Sequence, residues 1–167
     1  MRTRKPKDFK QFDSRWAKKM YSSRGDKAQT MKKAGCAPTA AADVVWELAG
    51  QDLNPYDLAL MFVDKKYRVD GKGTKPGCFK WTAKRFGLAF KRLYKLKGLV
   101  NVLDAGGLVV AHMGPGYWTQ GGHYIVLWAY RDGYLYACDP GSSTRKKQDA
   151  QKLVNQAKGF YAFQEKA

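Results

Sequence analysis

The chain has 167 residues, enough for one domain, and is 44% hydrophobic and 14% aromatic. It can therefore bury a core and is excluded from the class of disordered basic tails. Its 31 Lys+Arg against 14 Asp+Glu give a formal charge of +17, which leaves nucleic acid, an anionic membrane surface and an anionic polymer open as partners.

The N-terminus, Met1-Arg-Thr-Arg-Lys, is basic, but Pro6 to Trp16 is polar, so no signal peptide is expected. Residues 1–8 read as a basic arm on a single domain over 9–167. Cys36 precedes a helix predicted over Ala37–Ala49, with Pro38 in its first turn and Gly50 at its end. Asn54-Pro55 caps a second helix running to about Tyr67. Gly71–Gly77 is a loop, and Phe79–Phe86 a third helix stopped by Gly87. Leu88–Leu93 is a strand and Leu99–Leu103 a short helical turn. Leu108–Met113 and Tyr124–Tyr130 are the longest apolar runs; both are far too short to span a bilayer and suit buried strands. Between them lies a glycine-rich loop, Gly114–Gly122. His123–Tyr130 and Tyr134–Cys138 form a hairpin about Asp132-Gly133. Asp149–Ala157 is a helix and Phe160–Phe163 a last strand. Helices first and antiparallel strands after make the class α+β.

Residues 34–64 hold none of the cations and residues 98–141 hold one, whereas residues 1–33 and 65–97 hold twelve each. A nucleic-acid binder has no reason to clear cations from so much of its length, so nucleic acid is not expected as the main partner. Chemistry is sought in the two cation-poor stretches. The cysteines, Cys36, Cys78 and Cys138, are odd in number and widely spaced. They form no disulfide framework and no CxxC or CxxH metal pattern, and no cofactor is expected. Cys78 and Cys138 read as small buried hydrophobes.

Cys36 is different. At a helix start it faces the positive end of the macrodipole and unpaired N–H groups, both of which stabilise a thiolate. Gly35 before it allows a tight entry turn and close approach of a substrate backbone. His123 opens a strand just after a glycine loop, whereas His112, inside Val110-Ala-His-Met, reads as a core or supporting residue. Across the hairpin, position 123 falls opposite the high 130s to low 140s, within reach of Asp139. A carboxylate there would fix the imidazole tautomer and stabilise the imidazolium; read alone, Asp139 is a turn residue in Asp-Pro-Gly. Acyl transfer also needs a donor aimed at the developing oxyanion. The side-chain amide of Gln11, working with the Cys36 N–H, would supply it; read alone, Gln11 is a surface glutamine. Gly121 and Gly122 belong to the loop expected to line the cleft. Tyr117 and Trp118 in that loop either pack on substrate or anchor the loop.

Four segments in order carry a resemblance: Lys10-Gln-Phe-Asp-Ser-Arg-Trp-Ala17, Ala34-Gly-Cys-Ala-Pro-Thr-Ala-Ala-Ala42, Met113-Gly-Pro-Gly-Tyr-Trp-Thr-Gln-Gly-Gly-His-Tyr-Ile-Val-Leu127 and Tyr136-Ala-Cys-Asp-Pro-Gly141. Over roughly residues 9–163 the chain resembles the stand-alone branch of the bacteriocin-processing (double-glycine) cysteine peptidases, whose fold is papain-like, here with N-terminal helices packed on an antiparallel sheet. The resemblance implies Cys36 as nucleophile, His123 as general base, Asp139 as its orienting partner and Gln11 as oxyanion donor. Ala37 departs from the pattern, standing where glycine is common.

Basic stretches on either side of what reads as an uncharged cleft suit an enzyme working on an anionic matrix. The expected function is a cysteine peptidase that acts on peptidoglycan peptides, a phage-type lysin or wall hydrolase, with an anionic wall polymer as partner. It would be a monomer without a membrane span, made in the cytoplasm and acting at the wall after lysis or from a virion. Two alternatives stay open. One is a peptidase for double-glycine leader peptides, and the other a non-catalytic module that binds an anionic polymer or nucleic acid.

Overall fold

A computed structural model describes residues 2–167. Chain order is α1 (Met31–Ala34), α2 (Cys36–Ala49), α3 (Pro55–Asp64), β1 (Arg68–Val69), β2 (Gly73–Thr74), α4 (Gly77–Arg85), β3 (Leu88–Leu93), α5 (Leu96–Asp104), β4 (Leu108–Met113), β5 (His123–Arg131), β6 (Tyr134–Cys138), β7 (Lys147–Asp149), α6 (Ala150–Gln156) and β8 (Ala157–Glu165). Six strands form one antiparallel sheet in the order β3-β8-β4-β5-β6-β7, and β1 and β2 form a separate small hairpin.

The central strands β4 and β5 are apolar along most of their length, from Leu108 to Ala111 and from Tyr124 to Tyr130, because both faces are covered. Val110, Tyr124, Val126 and Trp128 join the cluster that includes Ala40, Val44, Leu58 and Phe79 of α2, α3 and α4. Val109, Ala111, Ile125 and Leu127 join the cluster with Leu99, Val102 and Leu153 of α5 and α6. The result is three layers, helices–sheet–helices. Each fully buried Val, Ile or Leu contributes roughly 1.5–3 kcal/mol.

Local chemistry sets the element ends. Gly50 closes α2 in the left-handed region (φ 63°), where glycine alone carries no Cβ penalty. Asn54 accepts from the N–H groups of Tyr56 and Asp57 while Asp57 reaches back to the Asn54 N–H, a capping box that starts α3. Asp132 and Gly133, both at positive φ (52° and 82°), make the tight turn between β5 and β6.

The structure extends the expectations at several points. The second helix ends at Asp64 rather than Tyr67, and the turn at Leu99–Leu103 is a full helix from Leu96 to Asp104. The four-residue α1 and the two- or three-residue β1, β2 and β7 are too short for a periodic signal; part of the predicted loop at Gly71–Gly77 holds β2. The N-terminal residues lie against α2, with Arg2 Nη1 on Glu47 Oε2 at 3.0 Å and the Lys7 N–H donating to Glu47 Oε1.

Candidate active site

Cys36 is the first residue of α2. Its N-cap, Gly35, offers no side chain to the helix start, Pro38 has no N–H and the Thr39 N–H is taken by Gly35 O, so the N–H groups of Cys36 and Ala37 are the ones left to the site. Burial opposes ionisation of the thiol. The His123 imidazole and the backbone N–H groups of Tyr124 and Ala37 outweigh it, and the pKa of Cys36 lies below that of an ordinary thiol.

His123 begins β5, and its Nε2 meets Asp139 Oδ1 at 2.6 Å. That contact leaves Nδ1 for Cys36. Burial disfavours the imidazolium, but the Asp139 and Cys36 partners more than compensate and raise the His123 pKa to about 10. With the Cys36 pKa lowered and the His123 pKa raised above it, the stable form between the two is thiolate–imidazolium. Asp139 has no exposed side-chain surface. Its Oδ1 also accepts from the Gly141 N–H at 2.8 Å, and its Oδ2 accepts from Arg145 Nε at 3.1 Å. Burial works against this carboxylate too, and His123, Gly141 and Arg145 hold it below the ordinary carboxylate range.

The β5–β6 register places these groups. Arg131 pairs with Tyr134 and Ala129 with Tyr136, then the register slips by one residue so that Val126 pairs with Cys138. Continued along the strand, this bulge sets position 123 level with Gly141. A Cβ on Gly141 would lie 3.2 Å from His123 Cε1, so only glycine seats the ring without a shift.

Gln11 is buried at 7% exposure, which corrects the surface reading of that residue taken alone. Its backbone N–H donates to Pro140 O and its Nε2 to Lys32 O, both at 2.9 Å. It thus ties the segment ahead of Cys36 to the turn after Asp139. The amide Nε2 keeps a second hydrogen, and its Oε1 is buried without a partner. Lys10 fastens the same turn, with Nζ donating to Asp139 O and Ser142 O at 2.8 Å each and to Asp8 Oδ1 at 2.9 Å. Sequence reasoning missed Lys10 and Arg145. One lies among scattered N-terminal cations and the other in an Arg-Lys-Lys run, and nothing local marks either.

Cys36 and His123 open onto a cleft of about 850 Å³. Of the glycine loop, Gly122 lines it; Gly121 and Tyr117 lie outside the lining. Trp118 is 1% exposed, packs in the core with α5 and α6, and donates from Nε1 to Gln148 Oε1. It anchors the loop and is corrected as a substrate contact. Tyr117, 49% exposed, stands edge-on to it. Gly35 is buried where a Cβ would lie 2.5 Å from Met31 O; its smallness serves the α1–α2 junction, and it lies outside the cleft lining. His112 is half-buried, stacks on Tyr124 and lines the cleft. Burial and the Lys158 charge lower its pKa to about 4, so it is neutral. Cys78 and Cys138 are buried, as expected.

The expectation of an uncharged cleft is overturned. Lys33, Arg68, Lys72, Lys75 and Lys158 line it beside Cys36 and His123, with no carboxylate in the lining. The fold brings the basic stretch 65–97 over the site through the β1–β2 hairpin, a placement that charge counted along the chain does not reveal.

Asp8, Asp43 and Cys138 bring three ligand-type atoms within 4.8 Å of one another. Both oxygens of Asp8 are occupied by Lys5 and Lys10. Burial pushes the Asp43 carboxyl well above the usual range. That donor set suits an internal polar network better than a cation.

Among known proteins, the Peptidase_C39 like family profile matches residues 11–166. No curated protein matches the sequence. The chain is similar in structure to the peptidase domain of Streptococcus ComA, a bifunctional ABC transporter involved in quorum sensing, with TM-score 0.60, 18% identity and coverage of 80% of this chain and 93% of that one. It is similar to a C39-like peptidase structure from Bacillus anthracis, with TM-score 0.59, 17% identity and 80% and 90% coverage. It is also similar to a double glycine motif protease from an AMS/PCAT transporter in complex with its leader peptide, with TM-score 0.53, 18% identity and 78% and 84% coverage.

Proposed function

The chain belongs to the Peptidase_C39 like family and is a cysteine peptidase, and from that premise we propose that it cuts peptides after a pair of glycines, as a processing peptidase of the double-glycine kind. The observation that carries the reading is the line of Cys36, His123 and Asp139, with the imidazole held at 2.6 Å on its far nitrogen by a fully buried carboxylate. Gly71, Gly73 and Gly122 in the cleft walls leave room for a substrate backbone to lie close. The fold is shared with a protease of double glycine motif specificity, which supports the same substrate class.

In this reading the Cys36 thiolate attacks the carbonyl carbon of the scissile bond, and the Cys36 N–H with the free Nε2 hydrogen of Gln11 receives the oxyanion. The His123 imidazolium gives its Nδ1 proton to the leaving amine. Neutral His123 then takes a proton from water, the resulting hydroxide releases the acid product, and the thiolate–imidazolium pair is restored. Asp139 keeps the ring oriented throughout.

Incubation with internally quenched peptides carrying a Gly-Gly pair, read by mass spectrometry, tests this. Cleavage directly after the pair, lost by at least ~1000-fold in Cys36→Ala, is expected. Intact peptides at high enzyme would overturn it. A second reading, hydrolysis of peptidoglycan peptides at the cell wall after release by lysis or from a virion, is favoured by the +17 charge, which suits an anionic wall. Wall suspensions assayed in parallel decide between them: a fall in turbidity with intact Gly-Gly leader peptides would support wall hydrolysis.

A further inference from the structure

The cations of the cleft fall into two kinds. Arg68 is engaged throughout: its guanidinium donates to Tyr21 O, Val69 O, Gly73 O and Gln29 Oε1 and staples the β1–β2 hairpin in place. Lys33, Lys72, Lys75 and Lys158 form no ion pair among the described residues. They surround a thiolate–imidazolium pair that is itself neutral overall.

Lys158 is aimed by the backbone. In the β4–β8 ladder His112 pairs with Gly159 and Met113 with Ala157, so the register slips and Lys158 is the extra residue of a bulge. Bulges beside active sites re-aim a side chain, and this one lays the Lys158 stem along Gly114, where a Cβ would meet its Cε at 3.4 Å. Its Nζ arrives at Gly122, one residue before His123. A Cβ on Gly122 would lie 3.9 Å from Lys158 Nζ and 3.9 Å from His112 Nε2. An ammonium and an imidazole nitrogen thus converge on one open spot that glycine leaves clear. Burial keeps His112 uncharged beside Lys158, so the pair combines a cation with a neutral hydrogen-bonding ring, a set suited to a carboxylate.

We propose that the corner made by Lys158, His112 and Gly122 is a carboxylate subsite, and that this peptidase selects substrates with a Glu or Asp side chain close to the scissile bond. The other lysines that line the cleft, Lys33, Lys72 and Lys75, attract the same acidic segment. The proposal rests on Cys36 being the reactive thiol and deepens the peptidase reading by naming the flanking residue.

Two small alkylating agents test it without any peptide. Iodoacetate carries a carboxylate and iodoacetamide does not, and Cys36 is the one cysteine among the described residues that is not buried. At low salt the ratio of their rates at Cys36 is expected to exceed that of N-acetylcysteinamide by about tenfold, since a charged cleft raises the local concentration of a counter-ion. The ratio is expected to fall about fivefold in Lys158→Gln and to stay put in Lys91→Gln, an exposed charge-matched control on β3. Paired Gly-Gly peptides with Glu or Gln beside the pair, both amidated at the C-terminus, are expected to show a preference for Glu that falls in Lys158→Gln. A ratio that drops no further in Lys158→Gln than in Lys91→Gln overturns the subsite. Peptides left intact alongside a Lys158-dependent ratio would support the subsite and dispose of the double-glycine reading.

Discussion

At the scale of single residues, Asp139 is shared between two cations. Its Oδ1 faces His123 and its Oδ2 faces Arg145, and the carboxylate, together with Cys36, lifts the imidazole pKa despite burial. The sign follows directly. The folded pKa of His123, about 10, lies above the ordinary value of 6.5. The stabilisation from its charged form is therefore full below 6.5 and is lost as pH rises through about 10. Activity has the same upper bound, because the leaving amine needs the imidazolium. The lower bound lies where the thiolate forms, below the usual thiol range. Asp139→Ala is accordingly expected to move the alkaline limb of kcat/KM to lower pH and to reduce kcat by about 100-fold or more through loss of ring orientation; a pH–rate profile checks both. An unmoved alkaline limb would take Asp139 out of the account. Cys36, His123 and Asp139 are legible in the sequence because each stands at a local landmark: a helix start, a strand start, a strand end at hairpin offset. Lys10, Arg145 and Lys158 are not, because their roles come from contacts across the fold. Trp118 reads equally well as ligand contact or anchor until its burial decides.

At the scale of elements, α2 presents its uncapped start to the site and the β5–β6 bulge sets the partner in line. The sheet does the registering. A one-residue slip puts Gly141, and not the serine after it, level with His123. Gly141→Ala is expected to displace the ring by a few tenths of an ångström and lower kcat by roughly tenfold, with the melting temperature nearly unchanged because the position is exposed. Kinetics and a thermal melt on the same sample check this, and wild-type kcat would contradict it. The main helices and strands were readable from apolar periodicity, caps and glycine stops. The bulges at Trp128 and Lys158 were not, since a bulge leaves no periodic trace in a strand buried on both faces. The short β1–β2 hairpin escaped for want of length, and with it the cationic wall of the cleft.

At the scale of the whole molecule, three layers hold the two halves of the site on opposite partners, the nucleophile on a helix and its base on the sheet. The N-terminal segment binds them together through Lys10 and Gln11. The α+β architecture with helices ahead of an antiparallel sheet was legible, because element order alone dictates it. The charge was half legible. Cation-poor stretches do hold Cys36, His123 and Asp139, yet folding sets lysines from other stretches around them. The +17 charge thus bears on the site directly and not only on docking. No helix of the described residues is long and apolar enough to cross a membrane.

The account turns on an activated thiol, and the most direct measurement is the rate of Cys36 alkylation by iodoacetamide as a function of pH. The predicted midpoint lies below the ordinary thiol value of about 8.5 and rises toward it in His123→Ala. A midpoint at or above that value in the wild type, or one that His123→Ala leaves in place, would contradict it.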